Sequence, residues 1–213
     1  MQDLSEIQSQ HLDILKEVGN IGAGNAATAL SQMLNKTIDM KVPAVKVVPF
    51  NEISDSVGGE EAVVAAVFLR IEGDAPGNMF FMLPVDEANE LISQLIGNPS
   101  LNLKDDPIDE MGASALSEVG NILAGSYLSA LSDFTKMNLQ PTPPAIAVDM
   151  TMALLSVGLV ELSEAGDYAI VIDTEINEKD KDNSIQSKGH FFLLPDPDSL
   201  DKIFLSLGVH LDE

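Results

Sequence analysis

Cysteine and tryptophan are absent from this chain of 213 residues, aromatic residues make up 5% of it, and lysine and arginine together number only 11. Each shortage removes a class of function. Without cysteine there is no disulfide scaffold, no thiol nucleophile and no thiolate metal ligand. With so few aromatics the core has to be aliphatic, and a hydrophobic content of 45% is enough to fill one. The few basic residues face 34 acidic ones, for a formal net charge of −23. Nucleic-acid recognition needs a clustered basic face, and none is available. The same repulsion disfavours anionic membranes, so the acidity reads as a device for solubility. No apolar run approaches the ~20 residues that cross a bilayer. The opening Met1-Gln-Asp-Leu-Ser-Glu6 lacks the basic and apolar regions of a signal peptide. A soluble cytoplasmic protein is expected, with no membrane and no nucleic-acid partner.

What the chain does have is one stretch twice. Asp13-Ile-Leu-Lys-Glu17-Val-Gly-Asn20-Ile-Gly-Ala-Gly24 is the first copy, and Ser114-Ala-Leu-Ser-Glu118-Val-Gly-Asn121-Ile-Leu-Ala-Gly125 is the second. A proline follows each at the same distance, Pro43 after Asn20 and Pro144 after Asn121. The surrounding elements repeat as well. Residues 8–35 have helical periodicity, 38–50 read as one strand with Pro43 near its start or on an edge, and 51–60 as a loop or short helix. Ala62 to Ile71 and Met79 to Leu83 form a hairpin of strands across the turn cluster 72–78. Pro84 opens a helix over 85–96 that Gly97 closes. After a polar linker the second half predicts a helix over about 109–136, a strand over 145–150 and an apolar helix over 152–163. Strands Tyr168–Ile176 and His190–Leu194 and a helix over 198–207 complete it. Phe80-Phe-Met-Leu-Pro84 matches Phe191-Phe-Leu-Leu-Pro195. The charged run Asn177–Asn183 reads as a solvated loop tip.

Neither half has enough sheet to bury both of its faces. The expected fold is therefore a single α/β domain of α+β type over residues 1–213. It is built of two repeats, about 8–97 and 109–208, with two-fold pseudosymmetry and a shared, mainly antiparallel sheet.

On a helical wheel of about 100° per residue, Asp13, Glu17, Asn20 and Gly24 share one narrow stripe. Ile14, Leu15, Val18, Ile21, Gly22, Ala26, Ala29 and Met33 occupy the other side. The second copy sets Ser114, Glu118, Asn121 and Gly125 against Ala115, Leu116, Val119, Ile122, Leu123, Tyr127, Ala130 and Phe134. Polar residues on the outer face of an amphipathic helix are ordinary. Their repetition is not, nor is the density of glycine, which costs about 1 kcal/mol against alanine in a helix. The stripe reads as a flat docking face with a projecting acid and amide. A single carboxylate beside an amide is not a general acid–base pair. An amide can, however, position a water for in-line attack on a phosphoryl group brought by a partner.

Other signals are weaker. Gly22-Ala-Gly24-Asn-Ala-Ala27 fits a dinucleotide-binding pattern, but such a pattern must follow a strand. His11, His190 and His210 have no metal-ligand spacing. The phenylalanine pairs and most methionines, Met111, Met150 and Met152 among them, read as core.

The pattern Asp/Ser-x3-Glu-x2-Asn-x22-Pro resembles the signature of the CheC/CheX/FliY phosphatases of bacterial and archaeal chemotaxis. Asp13, Glu17, Asn20 and Pro43 fill it once, and Ser114, Glu118, Asn121 and Pro144 again. Two complete copies resemble the CheC branch of that family. The resemblance implies dephosphorylation of the phosphorylated response regulator CheY. Asn20 and Asn121 would orient the attacking water, and Glu17 and Glu118 would pair with the regulator's lysine. The acyl phosphate and Mg2+ would belong to CheY, so this chain is expected to bind no cofactor or metal of its own. The resemblance also implies binding of the deamidase CheD, with Asp149 and the helix after it as the candidate surface. The competing readings are a non-catalytic CheD-binding or flagellar-switch-type module, and a nucleotide enzyme with a strand before Gly22.

Overall fold

Alternating apolar residues build the centre of the molecule, a sheet buried on both faces. The computed structural model describes residues 9–105, 107–162, 168–178, 186–196 and 198–208. In chain order the elements of the first half are α1 (Ser9–Leu34), β1 (Ile38–Lys41), β2 (Val45–Pro49), α2 (Ile53–Ser56), β3 (Val63–Gly73), β4 (Gly77–Pro84) and α3 (Val85–Ile96). Those of the second are α4 (Glu110–Thr135), β5 (Leu139–Pro141), β6 (Ala145–Met150), α5 (Thr151–Leu162), β7 (Tyr168–Glu178), β8 (Gln186–Pro195) and α6 (Ser199–Ser206).

The sheet is antiparallel throughout, in the order β1-β7-β8-β4-β3-β5, with β2 also on β7 and β6 also on β3. The two halves are interlocked by this order. The short strands of the first half pair with the long strand β7 of the second, and those of the second pair with β3 of the first. The seam is β4 against β8, where Phe80 faces Phe192 and Phe81 faces Phe191. Along β3, alternate residues go to opposite faces. Val67, Leu69 and Ile71 join the large core with residues of α1, α3 and α4, while Val64 and Ala66 join Ile53, Val57 and Leu155 in a smaller one. Burial of each such side chain contributes about 1.5–3 kcal/mol.

Helices α1 and α4 lie side by side on one face, and glycines set how closely they approach each other and the sheet. A Cβ on Gly22 would stand 2.9 Å from the Tyr127 Cα, and one on Gly120 would stand 2.5 Å from Val67 Cγ1. The Tyr127 hydroxyl is 3.0 Å from Thr174 Oγ1, and burial pushes its phenol up to about 12 despite that bond. The α4 N-terminus is capped by Asp109, whose side chain accepts from the Gly112 N–H at 3.0 Å.

Several expectations change. The strand over 38–50 is two strands, broken at Val42-Pro43-Ala44, because proline removes a ladder donor and restrains the residue before it. Strand β8 starts at Gln186, since its polar end pairs with β7 through Lys188 opposite Glu175. Ile21 is 43% exposed, because it stands one helical turn beyond Glu17 on the outer side. Phe134, Met111, Met150 and Met152 are also exposed rather than core; nothing in their surroundings explains the exposure of Phe134. The Phe pairs are buried as expected, and Gly97 closes α3 with φ +69°. Residues 179–183 of the charged run, the expected end of the apolar helix at 163, and His210 lie outside the described residues.

Candidate functional site

The two long helices carry both copies of the motif on their outer sides. In α1, Asp13, Glu17 and Gly24 are exposed and Asn20 is half-buried; in α4, Ser114, Glu118 and Asn121 are exposed and Gly125 is half-buried. Glu and Asn three apart on a helix are surface neighbours, with Cβ atoms about 5–6 Å apart. A Cβ on Gly24 or Gly125 would meet nothing within 4 Å, so both glycines front open space. Neither glutamate makes a hydrogen bond or ion pair among the described residues. Each is a solvated carboxylate available to a cation.

The two asparagines differ. The Asn20 Oδ1 accepts from the Val42 N–H at 2.9 Å, and its Nδ2 donates to the Lys16 carbonyl at 3.0 Å. The Val42 carbonyl lies 3.5 Å from the same nitrogen. These partners fix which end of the amide is oxygen. In the first copy they also give the spacing to proline a structural role. Pro43 holds the preceding Val42 in an extended conformation, and that residue presents its N–H to the helix. Asn121 makes no such bond among the described residues. Its counterpart of Val42 is Pro143, which has no N–H to give. Pro43 is exposed and Pro144 half-buried, each at the turn between two short strands. The hydrogen-bond partner of Asn20 was not anticipated from the sequence, although the constant distance to proline pointed at that turn.

The remaining candidates separate cleanly. Asp149 is exposed on β6, where its Oδ1 accepts from the Met150 N–H at 2.7 Å. Gly22 lies in the middle of α1, so the dinucleotide reading lacks its strand. His11 is fully buried against the Phe204 ring. His190 lies 2.8 Å from Asp173, with Lys46 3.5 Å from the same carboxylate. Burial pushes the Asp173 carboxyl up, but the His190 hydrogen bond and the Lys46 charge outweigh it and hold the group below its usual range. No cluster of three potential metal ligands occurs among the described residues, and no helix there is long and apolar enough to cross a membrane.

An antiparallel sheet carries two long helices, each with an exposed Glu, an Asn three residues on and a proline turn behind it. The CheC-like family model matches residues 11–47 and 111–148, the two motif helices with the strands that follow them. The chain belongs to the CheC-like family. It is 49% identical over 211 residues to the CheY-P phosphatase CheC of Bacillus subtilis, covering 99% of this chain and 100% of that one. In fold it resembles Thermotoga maritima FliY, with a TM-score of 0.74 at 19% identity over 95% of this chain and 98% of that one. A Borrelia burgdorferi CheX–CheY–BeF3–Mg2+ complex is a more distant match, with a TM-score of 0.50 at 20% identity over 82% of this chain and 96% of the matched one.

Proposed function

We propose that this protein hydrolyses the phosphoryl group of phosphorylated CheY. The observation that carries the proposal is the Glu-x-x-Asn pair repeated on the outer sides of two long helices, with Glu17 and Glu118 both exposed, set on a chain 49% identical over its length to a CheY-P phosphatase. In this reading the asparagine amide holds a water in line with the phosphorus. The water oxygen bonds to phosphorus as the bond from phosphorus to the regulator's aspartate oxygen breaks, releasing inorganic phosphate and the free carboxylate. Glu17 and Glu118 pair with the regulator's lysine and fix the docking register. The acyl phosphate and Mg2+ come with the regulator, so this chain's contribution is orientation and electrostatics. The flat surface beyond each asparagine, at Gly24 and Gly125, lets the partner's backbone come close.

The test is the decay of phosphorylated CheY with and without the protein. The wild type is expected to accelerate it, and the Asn20→Ala, Asn121→Ala double variant to lose about 10²-fold or more of that acceleration. Full activity in the double variant would sink the mechanism, and no acceleration by the wild type would sink the activity.

We further propose that CheD binds at the junction of β6 and α5, where Asp149 is exposed beside Met150 and Met152, 47% and 44% exposed. Calorimetric titration with CheD should show weaker binding for Met152→Glu than for the wild type. Equal affinity would remove this surface from consideration.

A further inference from the structure

We infer that the residue 22 positions after each asparagine sets how readily that asparagine is presented to a partner: the Val42 N–H latches Asn20 against its own chain, while Pro143 leaves Asn121 free, and the two sites are unequal for that reason. The inference rests on the proposed phosphatase reading for its kinetic consequence and on hydrogen-bond geometry for the latch itself. An amide that orients water for a partner must present its oxygen and its N–H outward. In Asn20 the oxygen is occupied by Val42 and one N–H by the Lys16 carbonyl, at 2.9 and 3.0 Å. The side chain is accordingly half-buried, whereas Asn121 is exposed. Engaging the first site means breaking one or two hydrogen bonds before a partner contact forms. At the ordinary net strength of such bonds this is a population penalty of about five- to thirtyfold. Among the described residues the second site has no such step. Val42 is therefore a positioning residue that acts through Asn20, and its backbone rather than its side chain does so.

The latch has a direct readout. In amide hydrogen exchange followed by NMR, the Val42 N–H should be protected in the wild type and exchange faster in Asn20→Ala. Equal exchange in the two would overturn the latch. The kinetic arm uses chains with one working pair. With Glu118→Ala and Asn121→Ala only the first pair remains; with Glu17→Ala and Asn20→Ala only the second. The second-pair chain should accelerate CheY-P decay about five- to thirtyfold more than the first-pair chain. Equal rates, or a faster first-pair chain, would overturn the inequality.

Exchanging the backbone donor should then move activity in opposite directions. Val42→Pro in the first-pair chain removes the donor and should raise its rate. Pro143→Val in the second-pair chain supplies one and should lower its rate, with the new backbone N–H at that position acquiring protection. Val42 is buried, so should Val42→Pro fail to fold, the Pro143→Val and exchange arms still decide. Protected Val42 in a wild type that does not accelerate CheY-P decay would strike the phosphatase reading and leave the latch standing.

Discussion

A single methyl group separates the glycines of the repeated helices into two kinds. Gly22 and Gly120 are packing glycines, because any Cβ there runs into backbone or into Val67. Gly24 and Gly125 face nothing, so packing does not require them, and each sits in a helix at a cost of about 1 kcal/mol against alanine. In the proposed docking, these two positions are where the partner's backbone comes close. Two variants should therefore diverge. Gly125→Ala should raise stability in urea unfolding by about 0.5–1 kcal/mol while lowering CheY-P hydrolysis severalfold. Gly22→Ala should lose about 1–2 kcal/mol, since the Tyr127 backbone cannot move aside as a side chain would. A Gly125→Ala protein that is both more stable and fully active would show that the open face is not where the partner lies.

The elements divide between those a local pattern specifies and those it does not. Helix α3 was readable from Pro84 before it and Gly97 after it, and both motif helices from their three- and four-residue apolar spacing. The Glu–Asn stripe was readable for the same reason, since a helical wheel needs no tertiary information. The division of residues 38–50 into β1 and β2 was not. The β-branched residues on either side of Pro43 favour strand equally, and only pairing with β7 shows that the ladder stops at Lys41 and resumes at Val45. The exposure of Ile21, by contrast, was legible: it lies one turn beyond Glu17, about 40° round the wheel from it, beside the acid–amide stripe rather than opposite it. Least legible was the hold on Asn20. It joins a side chain to a main-chain N–H supplied from a different element, and comparing side chains alone makes the two sites look alike.

Across the whole molecule, the sheet order makes each half the other's partner. Strands β1 and β2 have no neighbour in their own half, nor have β5 and β6. The repeats could be read from the sequence because the motif recurs; the crossing of strands between them could not, because pairing between distant segments leaves no mark in local periodicity. Residues 9–97 and 110–208, made as separate chains, should each fail to show a cooperative urea transition, and mixing them should restore one. Cooperative unfolding of residues 9–97 as a monomer would mean that its sheet closes on itself.

The same strand order sets a timetable for synthesis. A ribosome releases β1 and β2 first, yet β7, on which both pair, is translated more than a hundred residues later. At about 5–20 residues per second, the nascent first half waits on the order of ten seconds with unpaired strand edges. For that interval its exposed N–H and C=O rows are open to any other extended chain nearby. The abundance of acidic side chains then has a use before the fold exists: it keeps neighbouring nascent copies apart until the second half arrives.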